Sequence, residues 1–222
     1  MAGRAAADLV PDGAVVGLGT GSTVHFTLLR LAERMRSEGL RILGVPTSLD
    51  TERKARELAI PLTTLDEIES IEVTIDGADE IDPAFDMVKG GGGALLREKV
   101  VAWITKREIV VVGPNKLVPR LGASYPLPVE VVPFARSVVL HGLRRLGAEP
   151  VLRARDGVAA RTDNGNEIID ARFPEGIADA RGLEHAIDQI PGVVETGLFL
   201  GLAHVLVVGH ADGRVEVRQR PG

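Results

Sequence analysis

AVVGLGTGSTVHFTLLRLAERMR, residues 14–36, is the stretch from which the fold is read. Ala14 to Leu18 reads as a strand, and the glycine loop Gly19–Gly21 ends it. From Thr23 to Arg36 the apolar residues Val24, Leu28, Leu31 and Met35 recur at helical spacing, with a polar opposite face. Strand, glycine turn and helix open a βαβ unit, and repetition of that unit builds a parallel sheet.

The pattern repeats outward from this stretch. Arg41–Val45 reads as a strand, Leu49–Leu58 as a helix, the neighbourhood of Leu62 as a short strand, and Asp66–Ile68 as a helical turn. Ile71–Ile75 is a strand ending at Asp76, Ala94–Thr105 a helix, and Glu108–Val112 the most β-branched strand of the set. Prolines 126, 128 and 133 mark a change of pattern. Beyond them come strand 127–132, helix 136–147, strands 150–155 and 166–171, helix 179–190 and strand 193–200, the β-α-β-β-α-β order of ferredoxin-like domains. Asn164-Gly165 supplies a hairpin signal, and His204–Val208 with Val215–Arg218 forms a terminal hairpin expected to return to the first domain. The expected architecture is α/β: a parallel-sheet domain of residues 1–126 and 201–222, with a smaller α+β domain of residues 127–200 inserted before the C-terminal hairpin.

Composition narrows the function. With 222 residues, 45% hydrophobic and 26% charged, the chain suits a globular protein, and no apolar run is long enough to span a bilayer. The first residues lack the apolar core of a secretory signal, so a cytoplasmic location and no membrane partner are expected. Net charge of −5 and the lack of a basic tract argue against a nucleic-acid partner. Cysteine is absent, which removes disulfides, thiolate nucleophiles and cysteine-ligated zinc. Chemistry falls to carboxylates, lysines, histidines, hydroxyls or backbone.

Four loops, each following a strand, carry such groups. Gly17–Thr23 pairs glycines with hydroxyls at a helix start, so Thr20, Gly21, Ser22 and Thr23 can cradle a phosphate or hydroxyl, or Ser22 or Thr23 simply caps the helix. Its spacing is not G-x-G-x-x-G, and Pro46-Thr47-Ser48 after the second strand lacks the acid that holds an adenosine ribose, so no nicotinamide cofactor is expected. Asp76-Gly77-Ala78-Asp79-Glu80-Ile81-Asp82 places two carboxylates where open α/β sheets bind ligands. An Asx-turn, above all at Asp82-Pro83, and a hard-cation site are the alternatives there.

Lys89-Gly90-Gly91-Gly92-Gly93 costs chain entropy that a compact protein is expected to spend only where backbone passes close to something. Glu98 lies one or two turns into the next helix, either reaching back over the glycines or serving as a surface acid. Gly113-Pro114-Asn115-Lys116 adds a second lysine, either at an anion or solvated. Loops at one edge of one parallel sheet converge. An anion cradle, carboxylates and lysines together suit proton abstraction next to a carbonyl, with Lys89 countering enediolate charge.

GLGTGSTV, VTIDGADEID, MVKGGGGALLREK, PNKLV, YPLPVEVVPFARS, TDNGN and IPGVVETGLF, in this order over nearly the whole chain, resemble the ribose-5-phosphate isomerases of the A type. The resemblance implies a Rossmann-like domain with a smaller ferredoxin-like domain. It also implies interconversion of D-ribose 5-phosphate and D-ribulose 5-phosphate without metal or cofactor, by a homo-oligomer that is commonly a dimer. Carried onto this chain, it makes Glu98 the proton-transferring base, and it lines the substrate with Thr20–Thr23, Asp76–Asp79, Lys89–Gly92 and Lys116. The chain departs from the family in a shorter first helix without lysines, in Pro114 and Asn115, and in a longer hairpin near Arg155–Ala160. The competing class is a non-catalytic sugar-phosphate sensor, but no helix-turn-helix with a basic recognition face precedes residue 14.

Overall fold

The computed structural model describes residues 1–221. In chain order the elements are α1 (Ala2–Ala7), β1 (Ala14–Leu18), α2 (Ser22–Glu38), β2 (Ile42–Pro46), α3 (Leu49–Glu57), β3 (Val73–Asp76), β4 (Glu80–Ile81), β5 (Met87–Val88), α4 (Leu95–Trp103) and β6 (Glu108–Val112). There follow β7 (Leu127–Val131), α5 (Arg136–Arg145), β8 (Glu149–Leu152), β9 (Ala154–Arg155), β10 (Val158–Ala159), β11 (Glu167–Arg172), α6 (Ala180–Asp188), β12 (Val193–Thr196), β13 (Leu198–Phe199), β14 (Val205–Gly209) and β15 (Val215–Gln219). They group into two compact units. One comprises Met1–Ala78, Arg97–Lys116 and the C-terminal segment from Leu202, the other Asp79–Leu96 and Leu117–Gly201.

The first unit is built on a six-stranded sheet of order β15-β14-β6-β3-β1-β2. All neighbours are parallel except the β14–β15 hairpin. Every residue of β6 is buried, which is why Ile109–Val112 is a continuous β-branched run rather than an alternating one. In α2, Val24, Leu28 and Leu31 are buried, and Gly39 closes the helix in the left-handed conformation that an L side chain resists. The arginines of α3 engage acids one turn away, Arg53 with Glu57 and Arg56 with Glu52, as its exposed face requires. The chain leaves β1 toward β2 on one side and reaches β3 on the other. The strand order therefore reverses beside β1, and the C-terminal ends of β1 and β3 flank the crevice where such sheets take ligands.

The second unit holds an antiparallel sheet of order β12-β7-β11-β8. Leu127, Val129, Val131, Ile169 and Ala171 from its strands bury against Val139 and Leu143 of α5 and Ile187 of α6. Compared with the expected 127–200, this unit also takes in residues 79–96 and 117–126. The reason is a three-stranded antiparallel sheet, β13-β5-β4, whose short strands carry no legible period. The expected strand 193–200 is two strands broken at Gly197, where the chain passes from β7 to β5. A Cβ there would lie 2.3 Å from the Lys89 carbonyl oxygen, so only glycine permits the crossing. The expected strand near Leu62 is a single bridge to Gly44.

Candidate active site

At the end of β1 the chain passes so close to the end of β3 that a side chain is impossible. A Cβ on Gly19 would lie 2.3 Å from Asp76 Oδ1. Into this gap the backbone aims two donors: the N–H groups of Thr20 and Gly77 reach Asp76 Oδ1 at 3.0 and 2.7 Å. Asp76 is 1% exposed. A buried carboxylate is costly unless such donors replace its water, so the first loop is shaped around this acid. The other side of the loop is held by hydroxyls. Thr20 Oγ1 bonds Thr47 Oγ1 and Ser48 Oγ, both at 2.8 Å, and Thr51 Oγ1 donates to the Gly19 carbonyl at 2.8 Å. Ser48 also accepts from the Thr51 N–H as the N-cap of α3.

Helix α2 has Gly21 as its N-cap, with φ of 121°, and no side-chain cap bond. Capping by Ser22 or Thr23 is therefore corrected: both lie inside the helix, and neither supplies the bond. A cavity of about 210 Å³ opens there, lined among others by Ser22, Thr23, Phe26, Val112, Gly113 and His210. Lys116 ends a single 3-10 turn, Pro114–Lys116, and is partly exposed. Glu98 sits in the first turn of α4 and is 5% exposed, which sets aside the solvated surface acid.

In the second unit a matching arrangement surrounds Asp79. Its N–H donates to the Val88 carbonyl at 2.8 Å, and its Oδ2 accepts from the Gly91 N–H at 2.7 Å. A Cβ on Gly91 would fall within 3 Å of both the Asp79 carboxylate and the Tyr125 hydroxyl. Burial, and then the Asp79 charge, push the Tyr125 phenol above its ordinary value, so it keeps its proton as a donor. Lys89 is 3% exposed, with its N–H on the Gly197 carbonyl and its Nζ 5.3 Å from the ring centroid of Phe199. Gly90 is buried with φ of 107°, whereas Gly92 is exposed and Ala78 half-buried.

The DGADEID motif thus divides by role. Asp76 and Gly77 belong with Thr20, and Asp79 belongs with Gly91 and Tyr125. Glu80 is fully buried and accepts from the backbone N–H groups of Gly122, Ser124 and Tyr125 and from Ser124 Oγ. Asp82 forms the Asx-turn, its Oδ1 accepting from Ala84 and Asp86 N–H. These two acids are spent on backbone, and among the described residues no group of three or more His, Asp or Glu is placed to hold a metal ion. Sequence reasoning missed the hydroxyls of Thr47, Ser48 and Thr51, because they act through a strand neighbour. It also passed over Tyr125, although a chain with one tyrosine offered that signal.

Comparison with known proteins shows the family. The profile of ribose 5-phosphate isomerase A (phosphoriboisomerase A) matches residues 43–213. The chain is 49% identical over 221 residues to ribose-5-phosphate isomerase A of Thermosynechococcus vestitus, covering 97% of this chain and 93% of the relative. It is 52% identical over 217 residues to that of Gloeobacter violaceus, covering 97% and 93%. Among solved structures, ribose 5-phosphate isomerase A of Methanocaldococcus jannaschii superposes with a TM-score of 0.92 at 41% identity, covering 98% of this chain and 96% of the other. A D-ribose-5-phosphate isomerase in complex with phospho-erythronic acid gives 0.94 at 38% identity, covering 99% and 96%. The profile match over residues 43–213 and identities of 49% and 52% over 97% of the chain place it in the ribose 5-phosphate isomerase A family.

Proposed function

We propose that the chain interconverts D-ribose 5-phosphate and D-ribulose 5-phosphate through a cis-enediolate, a step of the non-oxidative pentose phosphate pathway. One observation carries the reading beyond kinship: Asp76, Lys89 and Glu98 are 1%, 3% and 5% exposed. Titratable side chains buried this deeply, as Asp76 is against the N–H groups of Thr20 and Gly77, are candidates for a functional site.

In this mechanism Glu98 takes the C2 proton of the opened aldose and returns it to C1. Lys89 offsets the charge growing on the enediolate oxygens. Asp76 or Asp79 assists ring opening and moves the hydroxyl protons. The Thr20–Thr23 loop, with the uncapped start of α2, offers N–H groups and hydroxyls to the phosphate, and Lys116 adds positive charge. Phospho-erythronic acid, bound by a relative, has a planar carboxylate and a phosphate, which suits a site that takes an anionic phosphorylated intermediate. We further assign the chain a metal-independent reaction, a homo-oligomeric state that is most simply a homodimer, and a cytoplasmic location. Its architecture is read as a Rossmann-like first unit and, over β7 to β12 of the second unit, a ferredoxin-like arrangement of strands and helices.

The test is an isomerase assay on purified protein treated with EDTA, with exchange of the C2 hydrogen followed in labelled solvent. EDTA-resistant conversion with exchange is expected. Binding of ribose 5-phosphate without conversion or exchange would make the chain a sensor instead.

A further inference from the structure

Arg153 follows β8 and has a side chain only 17% exposed. Its N–H continues the strand pairing by donating to the Ile168 carbonyl at 2.8 Å, which sets Asp170 of β11 diagonally across from it. Arg153 Nε donates to Asp170 Oδ2 at 2.9 Å and Nη2 donates to Oδ1, a two-pronged pair that fixes the guanidinium plane. The remaining nitrogen, Nη1, donates to the carbonyls of Gly90 at 2.8 Å and Gly91 at 3.2 Å.

A trans peptide is planar, so its C=O and N–H point in opposite directions. Holding the Gly90 carbonyl on Arg153 therefore aims the Gly91 N–H the other way, where it meets Asp79 Oδ2 at 2.7 Å. We propose that Arg153, locked by Asp170, is a positioning residue: it sets the peptide plane between Gly90 and Gly91 and, through that plane, the orientation of the Asp79 carboxylate. A glycine pair in isolation would sample many orientations of this peptide, and the cation removes that freedom. Lysine cannot substitute, because a single ammonium cannot grip Asp170 with two prongs and hold both carbonyls. The inference rests on the isomerase reading proposed above.

The experiment compares the wild type with Arg153→Ala, Arg153→Lys, Asp170→Asn and the Arg153→Ala/Asp170→Asn double variant, with folding checked by circular dichroism. Arg153→Ala is expected to lower kcat by roughly 10- to 100-fold while KM moves less than about threefold, and Arg153→Lys to behave similarly. About 20 mM guanidinium should restore part of kcat to Arg153→Ala and none to Asp79→Asn. The double variant should be no worse than Arg153→Ala within about twofold, because the two residues act as one device.

Hydrogen exchange at the Gly91 amide should quicken by at least about tenfold in Arg153→Ala, a readout independent of turnover. Wild-type kcat in a folded Arg153 variant, an effect confined to KM, additive losses in the double variant, or unchanged Gly91 exchange would each overturn the proposal. If Arg153→Ala fails to fold, Arg153→Lys carries the same comparison. A wild type that lacks isomerase activity sinks the functional reading instead, and Gly91 exchange still decides the positioning role.

Discussion

Gly19 and Asp76, 57 positions apart in number, are packed so that the glycine's missing side chain is the space the aspartate occupies: a Cβ would stand 2.3 Å from Oδ1 and 2.6 Å from the Asp76 Cα. The second distance involves backbone, which cannot rotate aside. Gly19→Ala should therefore displace the loop and lose the Thr20 N–H bond to Asp76. We expect at least about a tenfold fall in kcat/KM and a loss of roughly 1–3 kcal/mol in denaturant unfolding. Unchanged kinetics in a folded Gly19→Ala protein would remove Asp76 from the active machinery.

Glu98→Gln keeps the shape of a buried side chain and removes its basicity. A kcat lower by roughly 10²-fold or more is expected, together with loss of C2-hydrogen exchange. Full turnover in this variant would assign the proton transfer to another group.

Lys89→Ala separates two roles for a buried cation. Enediolate charge exists mainly in the transition state, so the kcat loss should exceed any change in KM. Steady-state kinetics showing a change in KM alone would place Lys89 on the phosphate.

Glu80 tests what the middle of DGADEID is for. Its carboxylate serves three backbone N–H groups and one hydroxyl, and Glu80→Ala strands them in the interior. Stability should fall by about 3 kcal/mol or more in urea unfolding, the cost expected for several buried donors left without an acceptor. A loss below about 1 kcal/mol would show that water replaces the carboxylate.

His204 gives the fold a pH dependence of known sign. Burial, then the positive charge of Arg220, holds its imidazole below the ordinary value of 6.5, and its neutral Nδ1 accepts the Glu108 N–H at 3.0 Å. The unfolded chain takes up the proton first as pH falls, so the stability from this group is complete above about pH 6.5 and declines below it. The unfolding midpoint should drop between about pH 7 and pH 5, and His204→Ala should flatten that slope in calorimetry. An identical slope in both proteins would show that other groups govern it.

The candidate site was legible in unequal parts. Thr20, Asp76, Lys89 and Glu98 could be picked out because each lies just past a strand or glycine turn, and such punctuation is local. Arg153 and Asp170 carried no such mark. Both read as ordinary strand residues, and their meaning comes from a diagonal pairing across β8 and β11 and from a glycine loop some 60 positions earlier. Thr47, Ser48 and Thr51 were equally silent, since their hydroxyls act on the loop of a neighbouring strand.

By itself the sequence determined the succession of strands and helices, the glycine loops between them and the family resemblance, because periodicity and turn chemistry depend on neighbours along the chain. Tertiary structure alone decided which backbone amides each acid of DGADEID faces: Thr20 and Gly77 for Asp76, Gly91 for Asp79, Gly122, Ser124 and Tyr125 for Glu80, and Ala84 and Asp86 for Asp82. It also decided where 193–200 breaks at Gly197 to change sheets, and how residues 79–96 join the second unit. Those outcomes depend on strand register and on contacts a few ångströms wide between distant residues, and no local pattern encodes them.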